Sequence, residues 1–263
     1  MQNGINLSCT IGVSAGALNA ISYVSGQIGR SARFHLRYRH DPHFVGLNPI
    51  LSQKERGIIG FDFLFDKLDE VEPLDSARFM SESRRLLVVC TALASGLPVY
   101  FEKRDSEEEI MTAIRASASM PYVSQPVSVR GIRCLDGGCS VKIPFEWPIT
   151  HGYKKVVVVR TRERTYRAPR GEDERMPAMF YGEFPEFCAV LSKMNERYNQ
   201  ELDALDQLEK EGRAFVIAPS IPVTSGRLES DMDKLGELYF MGMHDAKQAL
   251  PALRLYLSSQ EQV

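Results

Sequence analysis

Thr10–Ala20, TIGVSAGALNA, decides how the chain is read. It holds G-x-S-x-G as Gly12, Val13, Ser14, Ala15 and Gly16. The apolar run Ile5–Ile11 precedes it and bears the start of a strand. Ala15, Ala17, Leu18, Ala20 and Ile21 follow and favour a helix from Ala15 to about Gly26. Strand, sharp turn and helix form the setting a nucleophile elbow requires. Bulk at Gly12 or Gly16 is expected to wedge strand and helix apart. Ser14 then sits at a helix N-terminus, where the dipole and the backbone N–H of Ala15 can stabilise a developing oxyanion. A bare G-x-S-x-G also arises in ordinary glycine-rich turns, so its context carries the reading.

The 263 residues suffice for one large α/β domain, and 44% hydrophobic with 25% charged residues is ordinary globular composition. A net charge of −2 makes no electrostatic case for nucleic acid. No apolar run reaches membrane-span length and no signal-peptide pattern opens the chain. Five cysteines (Cys9, Cys90, Cys134, Cys139, Cys188) without CxxC, and scattered histidines, point to a reducing, cytoplasmic compartment with no disulfide framework, metal or cofactor.

The apolar run Arg85–Ala92 reads as a buried, parallel strand. Val99–Glu102 returns as a strand, and Ser106–Ala118 is a helix with Ser106 as N-cap. Val127–Val129 and Ile132–Leu135 form a hairpin about Arg130-Gly131. Lys154–Thr161 is the clearest buried strand, Pro185–Gly212 the longest helix, Ala214–Ala218 the last strand and Asp231–Leu250 the closing helix, which Pro251 ends or kinks. This alternation predicts a three-layer α/β/α sandwich with a mostly parallel sheet, in a single domain over 1–263. Phe34–His43, FHLRYRHDPH, reads as a solvated helix end or a metal or phosphate patch. The apolar stretch 44–68 reads equally as a core helix and as a cap lining an apolar channel.

Asp136 follows an apolar strand in Leu135–Gly138, LDGG, where Gly137 and Gly138 allow positive φ and close backbone approach. An Asp-Gly turn is the plainer reading of that tetrapeptide. Parallel-sheet enzymes, however, place working residues at the carboxyl ends of strands, where Ser14 and Asp136 could meet.

Taken together, Ile11–Ala20, RASASMP (Arg115–Pro121), LDGG with Ile143-Pro144, and the strand KKVVVV resemble the patatin-like phospholipases. The resemblance covers most of the chain. It implies a Ser–Asp dyad without histidine, with Ser14 as nucleophile and Asp136 as general base. The implied reaction is hydrolysis of an acyl ester in lipid through an acyl-enzyme, with peripheral membrane contact. Partial desolvation of Asp136 is expected to make it basic enough for the task. Family members carry a G-G-G-x-[RK] loop before the elbow that supplies oxyanion donors. None precedes Ser14, which predicts a chain truncated at its N-terminus. Two alternatives stay open. One is a non-catalytic relative that binds lipid or a partner. The other is a Ser–His–Asp hydrolase with His151 or His244 as base, an order that α/β-hydrolases permit.

Overall fold

The structure is a computed structural model that describes residues 2–45, 59–104, 106–169, 175–226 and 229–259. Residues 46–58 of the expected cap, and 170–174 of the charged stretch after the strand at 156–159, lie outside it. The chain divides into two compact units, Met1–Lys142 with Gly171–Met194, and Ile143–Arg170 with Asn195–Val263.

In the first unit a five-stranded sheet is built on β2 (Arg85–Ala92), whose apolar run is buried over seven of its eight residues. β1 (Cys9–Val13) runs parallel to it, from Cys9 beside Arg85 to Val13 beside Val89. β3 (Pro98–Glu102) is antiparallel to β2 over Leu87–Thr91. The hairpin β4 (Val127–Val129) and β5 (Ile132–Asp136) joins through β5, which pairs Asp136 with Cys90 and Cys134 with Ala92. A strand has two edges. β3 overlaps the β2 residues paired with both β1 and β5, so it occupies one edge and β1 and β5 share the other. The carboxyl ends of β1 and β5 therefore abut between Val89 and Cys90.

The α/β class and the layered arrangement hold, but the expectation of a mostly parallel sheet does not. Only the β1–β2 pair is parallel here, while three pairs are antiparallel. Short connections impose this reversal. β2 returns as β3 through a turn at Gly96, φ 65°, and β4 returns as β5 through Arg130-Gly131, φ 49° and 76°, the left-handed pair of a tight hairpin. The apolar run misled because both faces of β2 are buried, which hides a strand whatever its direction. α1 (Ala15–Val24) and α5 (Glu107–Ala118) pack on Leu86, Val88, Cys90 and Cys134. Phe187 and Leu191 pack on Leu93, Leu135 and Cys139. Ser106 caps α5 by accepting the Glu109 N–H, as the sequence predicts.

α2 (Arg30–Tyr38) and α3 (Phe61–Val71) form a satellite cluster in which Phe34, Phe44, Phe61, Leu64 and Leu68 are buried, with α4 (Ser76–Met80) following. Buried Arg30 ties them, donating to the Glu72 carbonyl at 2.6 Å and to Asp69 at 3.0 Å. His35, Arg37 and His40 of the basic run are exposed.

The second unit opens with α6 (Glu146–Thr150) and pairs β6 (Val156–Val159) in parallel with β7 (Ala214–Ile217). The expected fully buried strand is shorter than 154–161 and half-covered, with Val156 in the core and Val159 73% exposed. Among the described residues β6 pairs with β7 alone; Leu205 covers the Val156 and Ala214 face, and Tyr256 lies against Phe215 on the other, ring centroids 5.5 Å apart, but Val159 is left uncovered.

The apolar stripe of Pro185–Gly212 is not one helix. After α7 (Arg175–Tyr181), it breaks at Lys193 into α8 (Pro185–Ser192) and α9 (Met194–Lys210). Phe187 and Leu191 serve the first unit's core and Leu205 the second's. The closing helix α10 (Met232–Ser258) is capped by Asp231, the first residue of the expected helix, which accepts the Asp233 and Lys234 N–H groups, but it runs through Pro251. Tertiary bonds hold the end beyond the proline. The Tyr256 hydroxyl accepts the Val156 N–H at 3.1 Å and donates to the Arg213 carbonyl at 2.8 Å.

Proline inside a helix is about 3 kcal/mol less favourable than alanine. Pro251→Ala is accordingly expected to raise the thermal midpoint. An unchanged or lower midpoint in differential scanning calorimetry would show that α10 is shaped around the proline.

Candidate active site

At Gly12 the strand and helix of the elbow come within contact. A Cβ there would sit 2.6 Å from Ala17 Cα and 2.9 Å from Ala17 N. Gly16 differs from expectation: a Cβ there meets nothing within 4 Å, because it already lies on the open side of the first turn. Its small size is not a packing requirement.

Ser14 has φ 54° and ψ −124°, an unfavoured conformation for a residue with a side chain, of order 1–3 kcal/mol. Its neighbours over-determine it. The Ser14 carbonyl accepts the N–H groups of Ala17 at 2.9 Å and Leu18 at 3.2 Å, which starts α1. The Ser14 N–H donates to Ser117 Oγ at 2.9 Å, and Ser117 donates onward to the Val89 carbonyl at 2.6 Å. β1 leaves β2 beside Val89. The fully buried Ser117 hydroxyl therefore bridges the two backbones where strand pairing stops.

Asp136 ends β5 opposite Cys90 and is 7% exposed. Its Oδ2 accepts the Ser14 hydroxyl at 2.6 Å, and its Oδ1 accepts the Gly138 N–H at 2.7 Å. Its own N–H donates to the Ser119 carbonyl at 2.8 Å, and its carbonyl accepts from Thr91 Oγ1 at 2.9 Å. Thr91 lies 2.7 Å from Ser140 Oγ. The carboxylate is thus clamped through backbone and side chain alike. Gly137 begins a short 3-10 turn, Gly137–Cys139, against β2, and a Cβ on it would lie 2.1 Å from the Val89 oxygen. Close approach is why glycine is needed there. The expected positive φ is not, since neither Gly137 nor Gly138 has one, and the left-handed residue of the site is Ser14 itself.

Beneath the carboxylate, the buried Cys90 thiol is held well above the ordinary thiol range, by its hydrogen bond to Cys134 and then by burial. It stays protonated and sets no second negative charge beside Asp136. Ala15 is the first residue of α1, where an N–H has no carbonyl one turn back to meet. Val13 is the last paired residue of β1.

Ser14 and Asp136 are therefore brought together directly, with no imidazole between them. His151 stacks on Trp147 with ring centroids 3.9 Å apart, and its Nδ1 lies 2.7 Å from the Trp147 carbonyl. His244 lies exposed on α10. Among the described residues no group of three or more His, Cys, Asp or Glu side chains could hold a metal ion. Sequence reading missed Ser117, Ser119, Thr91 and Ser140 as supports. Ser117 and Ser119 lie in the RASASMP stretch that carried the resemblance, but nothing in that stretch announces a role.

The family model for patatin-like phospholipases matches residues 2–147, more than half of the chain and all of this site. A second model, a domain of unknown function (DUF6363), matches residues 184–258. The chain is 26% identical over 237 residues to the uncharacterized protein YjjU of Escherichia coli strain K12, covering 88% of this chain. The chain spans 65% of the length of that relative.

Removing the Ser117 hydroxyl leaves the Ser14 N–H and the Val89 carbonyl without that partner, a loss of about 1–3 kcal/mol. Ser117→Ala is expected to unfold at a lower denaturant concentration. Gly137→Ala, which drives a methyl into the Val89 oxygen, is expected to be destabilised at least as much. Wild-type midpoints for both variants would contradict the bridging and close-approach roles.

Proposed function

Because the chain belongs to the patatin-like phospholipase family, we propose that it is a lipid acyl hydrolase working through a Ser14–Asp136 dyad. The observation that carries this reading is the 2.6 Å bond between Ser14 Oγ and Asp136 Oδ2 at a strained elbow. Ser14 Oγ attacks the ester carbonyl carbon while its proton passes to Asp136 Oδ2. The Ala15 N–H, at the positive end of α1, donates to the oxyanion that forms. Collapse of the tetrahedral intermediate expels the alcohol, which takes the proton from Asp136. Water, deprotonated by Asp136, then attacks the acyl-enzyme and releases the fatty acid and Ser14.

Two features support this assignment. Asp136 is largely withdrawn from water, and its Oδ2 already accepts the Ser14 hydroxyl that must give up its proton. The apolar cluster of α2 and α3 includes Ala118, adjacent to Ser117, and has Leu18, one turn past Ser14, packed against it. An acyl chain entering beside the elbow meets that surface, which favours the channel-lining role for Phe63 and Phe65, half-buried beside the core residues Phe61 and Leu64. Among the described residues no helix is long and apolar enough to cross a membrane.

Hydrolysis of p-nitrophenyl esters of short and long acyl chains tests the proposal. Ser14→Ala and Asp136→Asn are each expected to lower turnover by about 10²-fold or more. His151→Ala and His244→Ala are expected to stay near wild type. Loss of activity in a histidine variant would replace the dyad with a triad. A wild-type protein inert toward every ester would favour the non-catalytic, lipid-binding alternative.

A further inference from the structure

Arg160 directly follows β6 in the second unit. Its N–H donates to the Ile217 carbonyl at 2.8 Å, which extends the parallel pairing one step past Val159 and Ile217. It thus stands at the carboxyl end of a parallel strand pair, where open α/β sheets bind ligands. Its side chain is only 6% exposed. Nη2 donates to the Glu163 carbonyl at 3.0 Å and the Tyr198 phenol is hydrogen-bonded to the guanidinium, but Nε and Nη1 are buried and have no hydrogen-bond partner among the described residues. No other buried side-chain atom among the described residues is in that position.

Glu209 is near enough to act on Arg160 electrostatically, but the hydrogen bonds of the nearby carboxylates go elsewhere. Glu209 is gripped by Arg164, with Nη2 2.9 Å from Oε1, and also accepts the Val216 N–H at 3.2 Å. The Glu163 carboxylate accepts the Val223 N–H at 3.3 Å. A buried donor without a hydrogen-bond partner destabilises a fold, and Arg160 buries two of them. Two unpaired donors of a buried guanidinium at the carboxyl end of a parallel pair match the chemistry of an oxyanion, which arginine binds through its planar fork.

We propose that Arg160 anchors an oxyanion-binding site in the second unit, taking a phosphate or carboxylate group, with the neighbouring Tyr198 phenol as part of its wall. Arg160 lies between the two family-model matches, at 2–147 and 184–258, and the site is independent of the Ser14–Asp136 reading.

Thermal unfolding of the full chain in Tris chloride, with inorganic phosphate or acetate added at matched ionic strength, tests it. In chloride alone Arg160→Met, which removes the two unpaired buried donors, is expected to unfold at or above the wild-type temperature. Phosphate or acetate, but not added chloride, is expected to raise the wild-type midpoint saturably, and the anion that does so names the ligand class. The apparent affinity is expected to fall about tenfold or more in Arg160→Met, from loss of charge-assisted hydrogen bonds. Arg160→Lys, with charge but no fork, is expected to fall between them. Equal shifts in wild type and both variants, no shift in wild type, or a lower midpoint for Arg160→Met in chloride would each overturn the proposal.

Discussion

Two strands that end head-on against a third are the constraint on which the rest of the first unit depends. β1 and β5 approach along the same edge of β2 from opposite directions and stop at adjacent β2 residues, Val89 and Cys90. Whatever follows β1 must meet whatever ends β5. The chain places a serine at the first position and an aspartate at the second, and their side chains bond at 2.6 Å. Strand geometry, rather than a long flexible side chain, sets this separation. The pair therefore meets without an imidazole between the two side chains.

That economy has a cost in backbone conformation. A chain leaving β1 must turn at once into α1, or the space against β5 is lost, and Ser14 takes a positive φ to do so. The surroundings offset the strain in three places. Gly12 lets α1 lie against the strand, Ser117 continues the β1–β2 bonding by a side chain, and Gly137 lets the Asp136 turn press on the Val89 oxygen. All three act at the point where β1 and β5 meet.

The second unit is assembled on different terms. Its β6–β7 pair has one main core, formed by Phe145, Val156, Leu205, Ala214 and Val216. A single amphipathic stripe in the sequence is divided between the two units by one non-helical residue, Lys193, with φ −106° and ψ 8°. The buried, incompletely bonded Arg160 stands at the end of β6.

Local chemistry determined a good deal from the sequence alone. The glycines and small residues about Ser14 announce a strand–turn–helix elbow, Ser106 and Asp231 announce helix starts, and Arg130-Gly131 announces a hairpin, because each depends on residues adjacent in the chain. LDGG marked Asp136 for the same reason. Only the tertiary structure decided strand direction, since an apolar run is buried alike in parallel and antiparallel company. It also decided that Gly137 serves close approach while Gly16 does not, for that depends on a β2 oxygen some fifty positions away. Ser117, Thr91 and Ser140 were silent in the sequence because a hydroxyl has no pattern. It becomes a support only when folding brings a distant donor or acceptor within 3 Å of it. For the same reason, two donors of Arg160 were left without partners by packing, which no reading of neighbouring residues can count.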